Sequence, residues 1–282
     1  MSAKAISHLM QASTALCLSL ALEAGANAEE IKGQADPAKW TLAWSDEFDK
    51  PGLPDPAKWD YEVGFVRNGE AQYYTKARIE NAHIENGLLT IEGRKELYSD
   101  LKSGKTADYT AASIVSKGRN DVSFGRVEVR AKLPSGLGVW PAIWTLGTNI
   151  DAIGWPACGE IDILEYVGCE PDRIHGGIHF RKGGEHKSAN DKGPFTAKDP
   201  TADFHVFAID WSPEKLDFLH DGQILRTIKL EVADDGGGNA FRLPHYLLLN
   251  LALGGSWGGR IDDSKFPQRF IIDYVRVYTA KP

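Results

Sequence analysis

The chain has 282 residues and a formal net charge of −7, from 39 acidic against 32 basic side chains. No Lys/Arg cluster interrupts that balance, and phosphate contacts need concentrated positive charge, so nucleic acid is excluded as a partner. Strongly sulfated or carboxylated polymers would be repelled for the same reason, and neutral partners fit better.

The elements follow in chain order. Lys4, the apolar run "ALCLSLAL" and the small residues Ala26 and Ala28 have the order of a secretory leader over residues 1–28. The run is too short to span a bilayer; a frayed N-terminal helix is the competing reading. Residues 29–38 are expected to be a flexible lead-in, and 39–282 a single domain without internal repeats. "HIENGLLTIEG" predicts a hairpin at Asn86-Gly87, and "LDFLHDGQILRTIKL" another at Asp221-Gly222. "RVEVRAKL" alternates, which predicts an antiparallel strand with Arg126, Glu128, Arg130 and Lys132 toward water. "FHVFAIDW" (204–211) and "HYLLLNLAL" (245–253) are apolar on both faces and should be central, and "FIIDYVRVYT" closes the chain. "KGGEHKSANDKGPFTAKDP" (182–200) reads as a long surface loop near a sheet edge. Helical stripes are missing. The sum is an all-β fold, a two-sheet antiparallel sandwich.

"GWPACGEIDILEYVGCEP" (154–171) places three acids in a buried-looking strand, where ionised carboxylates are expensive. Alternation puts Glu160 and Asp162 on one face and Ile161 and Ile163 on the other, which leaves Glu165 on the wrong side. One extra residue, a β-bulge at Ile163–Leu164, restores it to the face of Glu160. Their Cα atoms would then be roughly 13 Å apart, and an inward lean leaves the carboxyl groups ~5–5.5 Å apart, the separation of retaining glycoside hydrolysis. Asp162 between them can split the pKa values of the pair. A solvated acidic face and a calcium site compete, but one strand offers no wraparound oxygen cage. Cys158 and Cys169 flank the strand too far apart for a disulfide. With Cys17 in the leader, two free thiols are expected.

The 8 tryptophans are many for this length. In "SGLGVWPAIWTLG" (135–147), Trp140 and Trp144 can share a face, although Pro141 blurs the phase. Flat indoles stack on sugar rings; core packing is the alternative for each. Trp155 and Trp257, in glycine-rich loops, are further candidates to line a cleft.

These stretches, with "WSDEFD" (44–49), "NGEAQYYT" (68–75), "LLLNLALGGSWGG" (247–259) and "FPQRFIIDYVRVY" (266–278), resemble glycoside hydrolase family 16 in order along most of the chain, and within it the laminarinase-type endo-1,3-β-glucanases. The resemblance implies a β-jelly-roll with a concave cleft, Glu160 as nucleophile, Glu165 as acid/base and Asp162 as the assisting carboxylate. It also implies sugar contacts from Asn68, Glu70, Trp140, Trp144, His179 and Trp257. His175 shares a strand face with His179 but reads as a buried, hydrogen-bonded histidine. No organic cofactor is implied. A structural calcium would use Glu47, the Gly87 backbone oxygen and Asp273. The expected partner is a β-1,3-glucan polysaccharide, cut by a monomer exported to the periplasm or the cell exterior, with no membrane attachment after leader removal. Mixed-linkage glucan, marine galactans, transglycosylation and a non-catalytic glucan-binding role remain as alternatives.

Overall fold

Both turn signals act as the sequence predicts. Asn86 and Gly87 have φ of 54° and 75°, and Asp221 and Gly222 of 48° and 77°, the left-handed pairs that a two-residue hairpin demands. They join Ala82–Glu85 to Leu88–Asp100 and Lys215–His220 to Gln223–Lys229. The structure, a computed structural model, describes residues 31–189 and 193–282; the expected leader and Cys17 lie outside the described residues. Residues Lys32–Pro282 form one unit.

The strands build two sheets of ten and nine strands among the described residues. The outer sheet is centred on Gly125–Lys132 and Gln268–Ala280. The cleft sheet runs Glu185–Ser188, Arg173–Lys182, Glu160–Glu165, Val139–Gly147, His245–Leu253, Ser113–Val115 and Asp60–Tyr61. Pairing is antiparallel except between Gln72–Tyr74 and Lys105–Ala111, which run parallel. This is the expected jelly-roll sandwich with that one departure.

Period-two alternation decides what each cleft-sheet strand shows. On His245–Leu253, Leu247, Leu249, Leu251 and Leu253 enter the core between the sheets, while Tyr246, Asn250 and Ala252 face the cleft. Each core leucine is fully buried, worth ~1.5–3 kcal/mol of transfer free energy. On Val139–Gly147, Val139 and Ile143 join that core, and Trp140, Ala142, Trp144 and Leu146 face the cleft. Pro141 leaves the phase intact.

Two expectations are corrected. The polar face of Gly125–Lys132 is largely buried: Arg126 is 4% and Glu128 0% exposed. Arg126 bonds Glu128 at 2.8 Å and Asp210 at 2.9 Å, its third donor reaches the Gly33 carbonyl, and Tyr278 donates to Glu128. Paired charges tolerate burial where single ones do not. The segment 182–200 is not all loop. Gly183 and Gly184, with φ of 61° and 83°, turn the chain into the edge strand Glu185–Ser188, and Phe195–Thr196 pairs with Arg173–Ile174.

Candidate active site

The bulge lies where the sequence requires it. Against Val139–Gly147, Asp162 faces Trp144 and Leu164 faces Ile143, so Ile163 is the extra residue. Ile161 and Ile163 enter the core, and Glu160, Asp162 and Glu165 all line the cleft.

The cleft has two adjoining lobes with the acids at their junction. One lobe is walled by Glu62, Val66, Arg67, Tyr246 and Asn250, the other by His175, His179, His186 and Trp257. Asn68, Trp140 and Trp155 line both. A chain threaded through would expose an internal bond to the acids.

The three carboxyls hold their protons unequally. Burial pushes Asp162 well above the usual carboxylate range, and the charges of Glu160 and Glu165 add to that. Burial, with the Glu160 charge, lifts Glu165 to about 7, against a hydrogen bond from Trp140 Nε1 at 3.1 Å. Burial also raises Glu160, but Trp155 Nε1 at 2.8 Å, a hydrogen bond from Asp162 and the Arg67 charge all oppose it. Glu160 thus stays raised but has three groups that favour its charge, against one on Glu165, which holds its proton up to about pH 7. That division is what a nucleophile and a general acid require.

The expected sugar contacts divide by exposure. Trp155 is 49% exposed, with its Nε1–H on Glu160 and the His186 ring beside it. Trp257, on the short helix Gly255–Gly258, stands edge-on to Trp140 at 5.4 Å. The helix docks on the Asn68 carbonyl through Ser256 N, and Gly255 must be glycine: φ is 74°, and an added Cβ would lie 3.0 Å from that carbonyl. Trp140 and Trp144 are mostly buried in the cleft floor. One face of Trp144 is covered by the Arg67 guanidinium at 4.8 Å, so an arginine already stacks where a sugar was expected.

Glu70 lines the first lobe but is almost wholly buried there, its carboxylate taken up by neighbours. Its carboxylate accepts from Asn68 Nδ2 at 3.2 Å, Gln72 Nε2 at 2.7 Å and Tyr74 OH at 3.3 Å. Tyr74 OH accepts from Asn250 Nδ2, and Asn250 Oδ1 accepts from Trp144 Nε1 at 2.7 Å. Gln72 in turn accepts from Leu253 N. A continuous network thus ties the 68–74 segment to the floor.

His179 lies opposite Glu160 on the neighbouring strand, and His175 opposite Glu165. Burial depresses His179 to about 4, helped by His186, so it is a neutral imidazole. His175 is half-buried, with its Nε2 3.5 Å from Glu170 Oε2, and its ring packs edge-on to Trp257 at 4.6 Å on the cleft wall.

Three site residues escaped the sequence. His186 sits on the edge strand; alternation around Gly183-Gly184 was its only signal. Asn250 is the one polar residue in the run Leu247–Leu253, and Arg67 directly precedes the 68–75 motif. Cys158 and Cys169 are free, as expected.

Among the described residues, ligand-type atoms gather within 4.8 Å of one another in two groups, Glu160/Asp162/His179 and His205/His220/Asp221. The expected calcium donors lie elsewhere, at one corner of the outer sheet. Ile272 pairs with Leu89 and Asp46 with Val275, so Asp273, the 86–87 turn and Glu47 belong to neighbouring strands or their ends. Arg276 binds both Glu47 oxygens at 2.9 and 2.8 Å, and Arg130 takes Asp273 Oδ2. Glu47 is held below the usual carboxylate range by Arg276.

Known proteins share this architecture. The family model described as "Glycosyl hydrolases family 16" matches residues 69–276. A protein named beta-glucanase from Rhodothermus marinus is 44% identical, over 85% of each chain. One named glucan endo-1,3-beta-glucosidase from Cryptopygus antarcticus is 35% identical, over 85% of this chain and 92% of that one. The solved laminarinase of Rhodothermus marinus superposes with a TM-score of 0.77 at 42% identity, over 86% of this chain and 98% of its own. The chain belongs to glycosyl hydrolases family 16.

Proposed function

We propose that this protein hydrolyses internal β-1,3-glucosidic bonds of a neutral glucan with net retention. The bulge carries this reading: it aims Glu160 and Glu165 into the junction of two lobes, so sugar units sit on both sides of the bond that breaks. Glu160 attacks the anomeric carbon while Glu165 gives its proton to the leaving oxygen. Glu165 then takes a proton from the water that releases the sugar from the glycosyl-enzyme ester. Among the described residues five acids line the first lobe and Arg67 is the only lining cation, which disfavours sulfated polymers. Laminarin, lichenan, barley glucan and agarose, compared by reducing ends, test the substrate. The β-anomer should appear first in an NMR time course; an α-anomer first ends the retaining mechanism.

Export with cleavage after Ala28 belongs to the same reading and is supported by the leader pattern. N-terminal sequencing of the mature protein tests it. No helix among the described residues is long and apolar enough to cross a membrane. A monomer is proposed, with size-exclusion scattering as its check. Calcium at the Glu47–Gly87–Asp273 corner is a further proposal, supported by register and by donor chemistry: an ionised carboxylate offers about four lone-pair sites, and the arginines use only some of them. The ion would pin strand ends and take no part in the reaction. Chelation should lower the melting temperature and calcium restore it; an unchanged melt removes the ion.

A further inference from the structure

We propose that His186, on the edge strand Glu185–Ser188, is a positioning residue for the nucleophile, acting through His179 and Trp155. The inference rests on the hydrolytic reading above, and it gives the 182–200 segment a role that neither its composition nor the family motifs supply.

Two contacts lead from His186 toward Glu160. Its Nε2 lies 2.9 Å from His179 Nδ1, and His179 Nε2 lies 3.5 Å from Asp162 Oδ2. Its ring also lies 4.7 Å from the Trp155 ring, whose Nε1–H donates to Glu160 Oε2 at 2.8 Å. Trp155 is half-exposed, and the imidazole beside it limits where the indole can swing.

Proton counting fixes the direction of the first path. His179 is neutral and has one N–H to share between two partners. Burial holds a proton on Asp162, and its hydrogen bond with Glu160 takes that proton, so the oxygen facing His179 is assigned here as the acceptor. The His179 proton then belongs on Nε2, facing Asp162, and Nδ1 must accept. His186 must therefore donate through Nε2–H. In the reverse tautomer, His179 Nε2 turns a lone pair toward Asp162, and the Asp162 proton is drawn away from Glu160. A histidine's second nitrogen commonly sets its tautomer this way. The 3.5 Å contact is long for a hydrogen bond, so this path is the weaker of the two.

Three readings of the full-length protein test the proposal. His186→Phe keeps a ring beside Trp155 but cannot donate; kcat should fall by about tenfold with KM little changed, the scale of one lost hydrogen bond near a charge. His186→Gln, whose amide can donate to His179 Nδ1, should recover to within about threefold of wild type on the same scale. Imidazole nitrogen NMR, assigned against His179→Gln, should place the wild-type His179 proton on Nε2 and show that preference lost in His186→Phe. Wild-type kcat in His186→Phe would overturn the proposal. So would a rise in KM alone, which marks a sugar contact, or a wild-type His179 proton on Nδ1. If the wild type cleaves no glucan, the hydrolytic reading fails by itself, and the NMR result still decides what His186 does.

Discussion

Glu128 and Asp162 are both buried carboxylates on central strands, one in each sheet, and their surroundings are opposite. Glu128 meets the Arg126 guanidinium at 2.8 Å, and Arg126 also holds Asp210. Asp162 meets Glu160, Glu165 and a neutral histidine, with no arginine or lysine bonded to it among the described residues. The outer sheet neutralises its acids and so tolerates their burial. The cleft crowds its acids together and lets them keep protons. The comparison teaches that burial alone does not mark a functional acid; burial without a cation does.

Breaking the cleft side should give the largest effect. Glu160→Gln is expected to reduce glucan hydrolysis by more than about 10⁴-fold, beyond the range of general acid–base help alone, with the far-ultraviolet spectrum unchanged. Near-normal turnover would remove Glu160 from the reaction. Breaking the outer side should cost stability and spare chemistry. Arg126→Met strands Glu128 and should destabilise by about 3–5 kcal/mol in urea melts, leaving kcat of the folded protein alone; adding Glu128→Met should return much of that loss.

Two further tests sharpen the contrast through pH. Glu165 binds its proton up to about pH 7 in the folded protein but only to about 4.3 in an unfolded chain. The folded state therefore holds the extra proton between those values, and stability falls as pH rises through about 7. Glu165→Gln has no such loss and should be more stable than wild type at pH 8 by up to about 3 kcal/mol, with the gap closing near pH 4. A gap independent of pH would show that Glu165 is ionised when buried. The smallest effect is kinetic: kcat/KM should decline on the alkaline side with a midpoint near 7 as Glu165 loses the proton it must deliver, and a flat profile through pH 9 would contradict that role.

How much of this was legible depended on how local the cause was. The Asn86-Gly87 and Asp221-Gly222 turns are dictated by two residues each, and the bulge by a parity violation inside six, so the catalytic strand could be read directly. Burial of Arg126 and Glu128 could not, because it depends on Gly33 and Tyr278, 93 and 150 residues away from their respective partners. Arg67 over Trp144 is illegible for the same reason: alternation says which face an indole takes, not what lies on it. His186 was lost to composition, since a polar Gly-Lys stretch reads as loop until its partner strand is known.

The hydrogen-bonded circuit through Trp144, Asn250, Tyr74, Glu70 and Gln72 has a consequence for recognition. Its members are already locked to one another, so the first lobe keeps its shape without a guest. Little side-chain freedom is left to surrender when a polysaccharide arrives, and the affinity that remains after such ordering losses is correspondingly larger. That half of the groove should behave as a rigid mould, with adaptation confined to the half-exposed Trp155 at the junction of the lobes.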